Sequence, residues 1–275
     1  MSIIAISRGT FSGGEALAKR VAERLGYQCL SREANLENAA KRYMVPAEEL
    51  TAAMEKRPSF LDRVLGERAA YLTFVRAALC EQARGDRLVY HGYLGQLFLP
   101  GISHVIGVRV IADAETRIRV AQRQQNFTHK EAVAHIERVD KERRAWTRFL
   151  FDVDWDDAHL YDLVLNLSRM SIATACETVA QLTERDDFKA NPTSLKAMQN
   201  LTLQSQVSAA LATDFRTRDA DLNIIADDGT VTITGKSRWA EVAIAVPAVV
   251  RQVAGVKAIK CEITGATPPS PLTWY

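Results

Sequence analysis

The chain is poor in the features that mark many protein classes. Only four of its 275 residues are cysteine. Cys29, Cys80, Cys176 and Cys261 lie far apart, with no paired-thiol spacing, so neither a disulfide framework nor a zinc site is expected. No apolar run approaches the roughly 20 residues that a membrane span needs. The N-terminus lacks a charged leader and reaches Ser7-Arg8-Gly9 too soon for a signal peptide, so a cytoplasmic protein with reduced thiols is expected. Charge of one sign is also missing. With 35 basic and 33 acidic residues the net charge is +2, which gives no general electrostatic grip on nucleic acid. His91, His104, His129, His135 and His159 show no metal-ligand spacing, and no nucleophile elbow or internal repeat occurs. What remains is ordinary globular composition, 47% hydrophobic and 25% charged, in a chain long enough for one large domain or two modest ones.

The opening carries the clearest local pattern. Residues 2–7 form a short β-branched run, as a buried parallel strand does. A glycine-bearing turn follows from Gly9 through Gly13 and Gly14. Leu17, Val21 and Leu25 then recur at helical spacing, and Gly26 is a helix stop. With a second strand near residues 27–30 this makes a βαβ unit. Further strands are predicted at 88–90, 105–111 and 162–167. Helices are predicted from Pro46 to Met54, at about 60–83, 114–125 and 172–182, and from Thr128, whose Glu131 completes a capping box, to Phe149. Strands alternating with helices imply a parallel α/β sheet. From Glu184 the pattern stops, and Asn191-Pro192 reads as a loop signal. A helix at 203–212, a hairpin with its turn at Asp227-Asp228-Gly229, a helix at 238–253 and a strand at 259–263 follow. Pro247 should kink or restart the second of those helices. The boundaries expected are therefore a domain over 1–185, a linker over 186–202, an αββαβ domain over 203–265 and a tail over 266–275.

Two constellations point to phosphate chemistry. Gly9 and Gly14 have the spacing of the loop that cradles nucleotide phosphates with backbone N–H groups and a helix N-terminus. Lysine and a hydroxyl residue usually follow; here Glu15 and Ala16 stand there. The loop is either a phosphate cradle, with Arg8 or Lys19 as its cation, or a tight strand-to-helix turn. Arg117, Arg119 and Arg123 lie on one predicted helix, and Arg138, Asp140, Arg143, Arg144 and Arg148 on the next. These form either a lid over phosphates or a solvated face with weak ion pairs, Asp140 and Arg144 being one i,i+4 candidate. The acidic stretch Asp152, Asp154, Asp156 and Asp157 reads as a polar partner to those arginines.

Taken together the first 185 or so residues resemble the cytidylate kinase-like branch of the P-loop nucleoside monophosphate kinases. The resemblance rests on residues 4–8, Ser12-Gly13-Gly14, Ser31-Arg32-Glu33, Gly92, Arg117-Ile118, Asp140-x-x-Arg143 and residues 161–166. Tyr93 stands where the family pattern often has arginine, and a Ser-Gly-Gly loop without lysine is common in this branch. The fold implied is a P-loop kinase-like parallel sheet with flanking helices and a helical lid. The activity implied is transfer of the ATP γ-phosphate to CMP or a similar monophosphate, with Mg2+. Ser7, Arg8, Gly9, Ser12, Gly13 and Gly14 would bind phosphate, and Arg32 with Gly92 would bind the acceptor. Arg117, Asp140, Arg143 and Arg144 would serve catalysis, and no protein metal site is implied. The last 65 residues resemble a BON domain, a small α+β module, on Gly229-x-Val231-x-Ile233-x-Gly235 and Gly255-Val256. That resemblance implies a protein or phospholipid partner. It leaves open a second role for the whole chain, a catalytically degenerate nucleotide sensor.

Overall fold

The computed structural model describes residues 1–55, 67–92, 95–237 and 239–265. Tyr93, Arg238, the front of the helix expected from about residue 60, and the tail lie outside the described residues. Strand β1 (Ile3–Arg8) leads to α1 (Gly14–Leu25), β2 (Gln28–Ser31), α2 (Arg32–Tyr43), α3 (Ala47–Glu55) and α4 (Glu67–Ala83). Then come β3 (Leu88–Gly92), α5 (Gly95–Phe98), β4 (Val105–Ile111), α6 (Ala114–Gln125), α7 (His129–Phe151), β5 (Leu163–Asn166) and α8 (Ile172–Leu182). The strands form one sheet in the order β2-β3-β1-β4-β5, with every pairing parallel.

A parallel sheet covered by helices buries both faces, which explains the near-continuous apolar strands. Ile4 and Ile6 pack with Val108, Val110, Leu17 and Val21 on one side. Ile3 and Ala5 pack with Leu36, Ala39, Leu79 and Trp146 on the other. The connection from β1 runs toward β2, on the β3 side, and the one from β3 returns past β1 to β4. The C-terminal ends of β1 and β3 therefore border a topological switch point, where open α/β sheets bind ligands. Helices α6 and α7 form a projecting pair with a small core of their own, Ile118, Ala121, Ala132 and Ile136. The expected capping box at Thr128 and Glu131 is formed.

The C-terminal part contains α9 (Pro192–Thr213), β6 (Asp221–Asp227), β7 (Thr230–Lys236), α10 (Ala240–Val250) and β8 (Ala258–Thr264). Strands β6 and β7 make the expected antiparallel hairpin, with Gly229 left-handed at its turn (φ 83°), and β8 adds parallel to β7. Two expectations differ from this. The stretch expected as linker is helical from Pro192, eleven residues before the helix start expected at 203. Asn191 and Pro192, taken as breakers, are its N-cap and first residue, and Asn191 and Ser194 cap each other reciprocally. Helix α10 also does not restart at Pro247 but runs through it as one element. Burying Val242, Val246, Val249 and Val250, at about 1.5–3 kcal/mol each, outweighs the ~3 kcal/mol cost of an interior proline.

Helix α9 belongs to two cores. Met198, Leu201 and Ala209 pack into the large domain, and Leu203, Val207 and Leu211 into the small one. Thr202 Oγ1 donates to the Cys80 carbonyl of α4 at 3.3 Å, and Cys80 Sγ lies 3.5 Å from Ser205 Oγ. Cys80 and Cys176 are buried, as expected of reduced thiols, whereas Cys29 is exposed. Among the described residues no helix is long and apolar enough to cross a membrane.

Candidate functional site

The loop between β1 and α1 is a tight, self-bonded hollow. Both the backbone N–H and the hydroxyl of Ser12 donate to the Gly9 carbonyl, at 3.1 and 2.9 Å. Phe11 and Gly13 take left-handed backbone conformations, with φ of 58° and 85°. Gly14 begins α1 so close to β1 that a Cβ there would lie 2.5 Å from that of Arg8. No side chain caps α1, so its first N–H groups and positive dipole end face a cleft of about 570 Å³ that the loop lines. Such an end is a ready anion site.

Glu15 does not turn into the hollow alone. Its carboxylate meets Lys19 one turn on, at 2.8 Å, with both side chains more than half exposed at the cleft rim. The Lys19 hydrogen bond holds the Glu15 carboxyl below its ordinary pKa. Arg8 also lines the cleft. Its Nη2 lies 3.6 Å from Glu33, and its Nε is buried without a hydrogen-bond partner among the described residues. His91, at the end of β3, is buried; burial first, and then Arg8, lowers its pKa to about 4.

The two helices carrying the arginines divide between the alternatives. Arg117 Nε donates to the Thr10 carbonyl at 2.8 Å, and its Nη2 to Asp140 at 2.7 Å. Arg143 Nη1 donates to the Arg8 carbonyl at 3.3 Å and to Thr10 Oγ1 at 3.0 Å. Phe11 adds an apolar contact from the loop to the core of this pair. Arg117, Asp140 and Arg143 therefore brace the loop. Arg144 does not join them: it pairs with Asp156 at 2.6 Å, half exposed, and the candidate Asp140–Arg144 pair is not formed, Asp140 being taken by the less exposed Arg117. Arg148 pairs with Asp154 and Arg138 with Glu142 on the solvated side. Asp154 and Asp156 of the acidic stretch thus partner arginines, whereas Asp157 pairs with His159.

Arg32, at the start of α2, is 8% exposed. Its Nε donates to Glu33 at 3.2 Å. Gly92 lies beneath it, where a Cβ would come within 2.8 Å of the Arg32 Cβ; its role is to permit that approach. Three residues not singled out from the sequence complete the floor. Trp155 Nε1 donates to Ser7 Oγ at 3.0 Å, and its ring receives Arg109 at 3.8 Å and Arg143 at 5.8 Å. Thr10 ties the loop to Asp140 and Arg143. A signal for the first two was present: one arginine inside a seven-residue apolar strand, and one tryptophan among aspartates.

The donor set fits nucleotide phosphates, since buried Nε of Arg8 and the bare helix end both seek anionic oxygen. It does not make a dedicated Mg2+ site. Ala16 offers no hydroxyl, and no cluster of three metal-ligating side chains occurs among the described residues.

A parallel five-stranded sheet with this loop at its switch point is a kinase-like fold, joined to a small mixed three-stranded module. Residues 3–169 match the cytidylate kinase-like family and residues 200–267 the BON domain; the chain belongs to the cytidylate kinase-like family. It is 25% identical over 187 residues to a cytidylate kinase of Ignicoccus hospitalis, covering 66% of this chain and 99% of that relative. Among solved structures it is similar to an uncharacterized protein of Eubacterium ventriosum (19% identity, TM-score 0.48, 67% of this chain and 99% of that one). Another is a shikimate kinase of Bacteroides thetaiotaomicron (14% identity, TM-score 0.41, 67% and 99%).

Proposed function

We propose that the chain is a phosphotransferase that moves the γ-phosphoryl group of ATP to a nucleoside monophosphate, with CMP the first acceptor to test. The observation that carries this reading is the uncapped start of α1 opening onto the cleft while Arg117 and Arg143 bond to the loop's own backbone. Phosphoryl transfer asks a protein chiefly for positioning and for cations around spreading negative charge. In this reading the amides from Gly9 to Gly14 and the Ser12 hydroxyl hold the donor phosphates. Arg8 and Lys19 stand in for the customary lysine. Asp140 orients Arg117, Arg143 reaches the transferring group, and Arg32 holds the acceptor phosphate. Arg144 joins only by leaving Asp156. Magnesium would come with the nucleotide, held by phosphates and water. Residues 1–185 would carry the chemistry, in the cytoplasm, and residues 203–265 a protein or phospholipid contact.

The test is ADP release from ATP and Mg2+ with each monophosphate in turn. Turnover with one acceptor supports the kinase. A second reading, a nucleotide sensor, draws on Ala16 and the Glu15–Lys19 pair, which remove both customary groups from the loop. No turnover, with ATP still raising the Tm, would favour the sensor. Neither turnover nor stabilisation would end both readings.

A further inference from the structure

Arg109 is the feature of this site that the braced loop leaves unexplained. It stands in β4 between Val108 and Val110, both fully buried, and is itself 6% exposed. Its register partner is Ser7. Strand alternation puts it on the face of the sheet that packs against α2, the helix carrying Arg32. Trp155 covers the guanidinium plane at 3.8 Å, and Nη2 donates to Asp156 at 3.3 Å. Nη1 is buried without a hydrogen-bond partner among the described residues. Leaving a charged donor buried and unfilled costs more than leaving a neutral one so. Stacking and the Asp156 contact fix the fork but do not fill it. Asp156 is itself about half exposed and shared with Arg144, so the carboxylate bonded to Arg109 sits where an incoming anion can exchange with it.

We propose that Arg109 is an acceptor-binding residue, whose Nη1–H and then Nη2–H take phosphate oxygens of the nucleoside monophosphate as Asp156 yields, while Trp155 holds the plane of the fork. This rests on the kinase reading above and names a residue for its acceptor side. The fork matters because a guanidinium meets phosphate through two parallel N–H groups, which an ammonium does not reproduce. Removing the Asp156 charge leaves the fork and its stacking in place and removes the competing anion.

The experiment is calorimetric titration of CMP, or whichever monophosphate binds the wild type, and separately of a non-hydrolysable ATP analogue. The proteins are wild type, Arg109→Lys and Asp156→Asn. Arg109→Lys weakens monophosphate binding at least tenfold, and Asp156→Asn tightens it at least threefold. The ATP analogue binds all three within about twofold. Monophosphate affinity within twofold of wild type in Arg109→Lys overturns the assignment. So does unchanged or weakened affinity in Asp156→Asn, the arm that decides if the lysine variant fails to fold. Wild type that binds a monophosphate while both variants match it refutes the Arg109 role alone. Wild type that binds no monophosphate refutes the acceptor reading and this role with it.

Discussion

The two sheets of this chain handle polar groups in opposite ways. The five-stranded sheet buries Ser7, Arg32, His91 and Arg109 at its strand ends, with Asp140 packed above them. From residue 214 onward the buried polar residues described are Thr217 and Ser237 alone, and no charged side chain is among them. What the small module shows instead is exposed apolar surface: Phe215, Ile225, Trp239 and Ile244 are each more than half exposed. Buried charge is costly unless paired or used, so the large sheet carries the marks of chemistry. The small one carries those of packing and surface contact. The difference is sharp although both regions share the helix α9.

The largest expected effect separates the chemistry from its surroundings. Arg143→Ala should lower kcat about 10³-fold, the scale of an arginine at the transition state. Arg144→Ala should lower it less than tenfold, because that residue is half exposed and committed to Asp156. Steady-state ADP release checks both, and equal losses would erase the distinction between loop-bracing and solvated arginines.

Next comes the shared helix. Leu211→Ala, on the small-module face, should cost about 2–4 kcal/mol in urea unfolding. Far-UV dichroism and CMP or ATP protection should then report one transition. Two separated transitions would show that the modules are independent despite α9.

A smaller effect follows pH. His91 is held neutral by burial and by Arg8, with its pKa lowered from 6.5 to about 4. A lowered histidine pKa means that the unfolded chain binds more protons between those values. Stability is therefore lost as pH falls from about 6.5 toward 4. Thermal melts across that range should show the loss, and His91→Gln should reduce it, leaving the share of His104, whose pKa burial also lowers. The small module, with no buried histidine, should show no such dependence in the local exchange of its amides.

The smallest effect concerns the cleft rim. Glu15→Gln breaks only an exposed ion pair and should change stability by less than about 1 kcal/mol. ATP affinity should rise slightly or stay level, as titration would show. A large loss would mean that the Glu15 carboxylate itself has a role in the hollow.

Much of this was legible in the residues. The apolar run of β1, the glycines after it and the period of Leu17, Val21 and Leu25 are local signals, and they made the elements expected. Arg117, Asp140 and Arg143 could be singled out, but only tertiary contact separates them from Arg144, since helical spacing does not say which face meets a loop 130 residues away. The start of α9 was hidden because asparagine and proline mark both loops and helix beginnings. Arg109 carried one signal, a lone arginine in an apolar strand, but the same apolar neighbours made the whole segment read as core.

Trp155 has an optical consequence. Its indole is dry, stacked against a guanidinium and bonded to the hydroxyl of Ser7, while Trp239 faces solvent. Any movement of Arg143 or of the loop on filling the hollow changes the polarity around that ring. With Trp239 and Trp274 both replaced by phenylalanine, Trp146 in the core is the one other tryptophan left, and the shift in emission on adding nucleotide reports occupancy without a label.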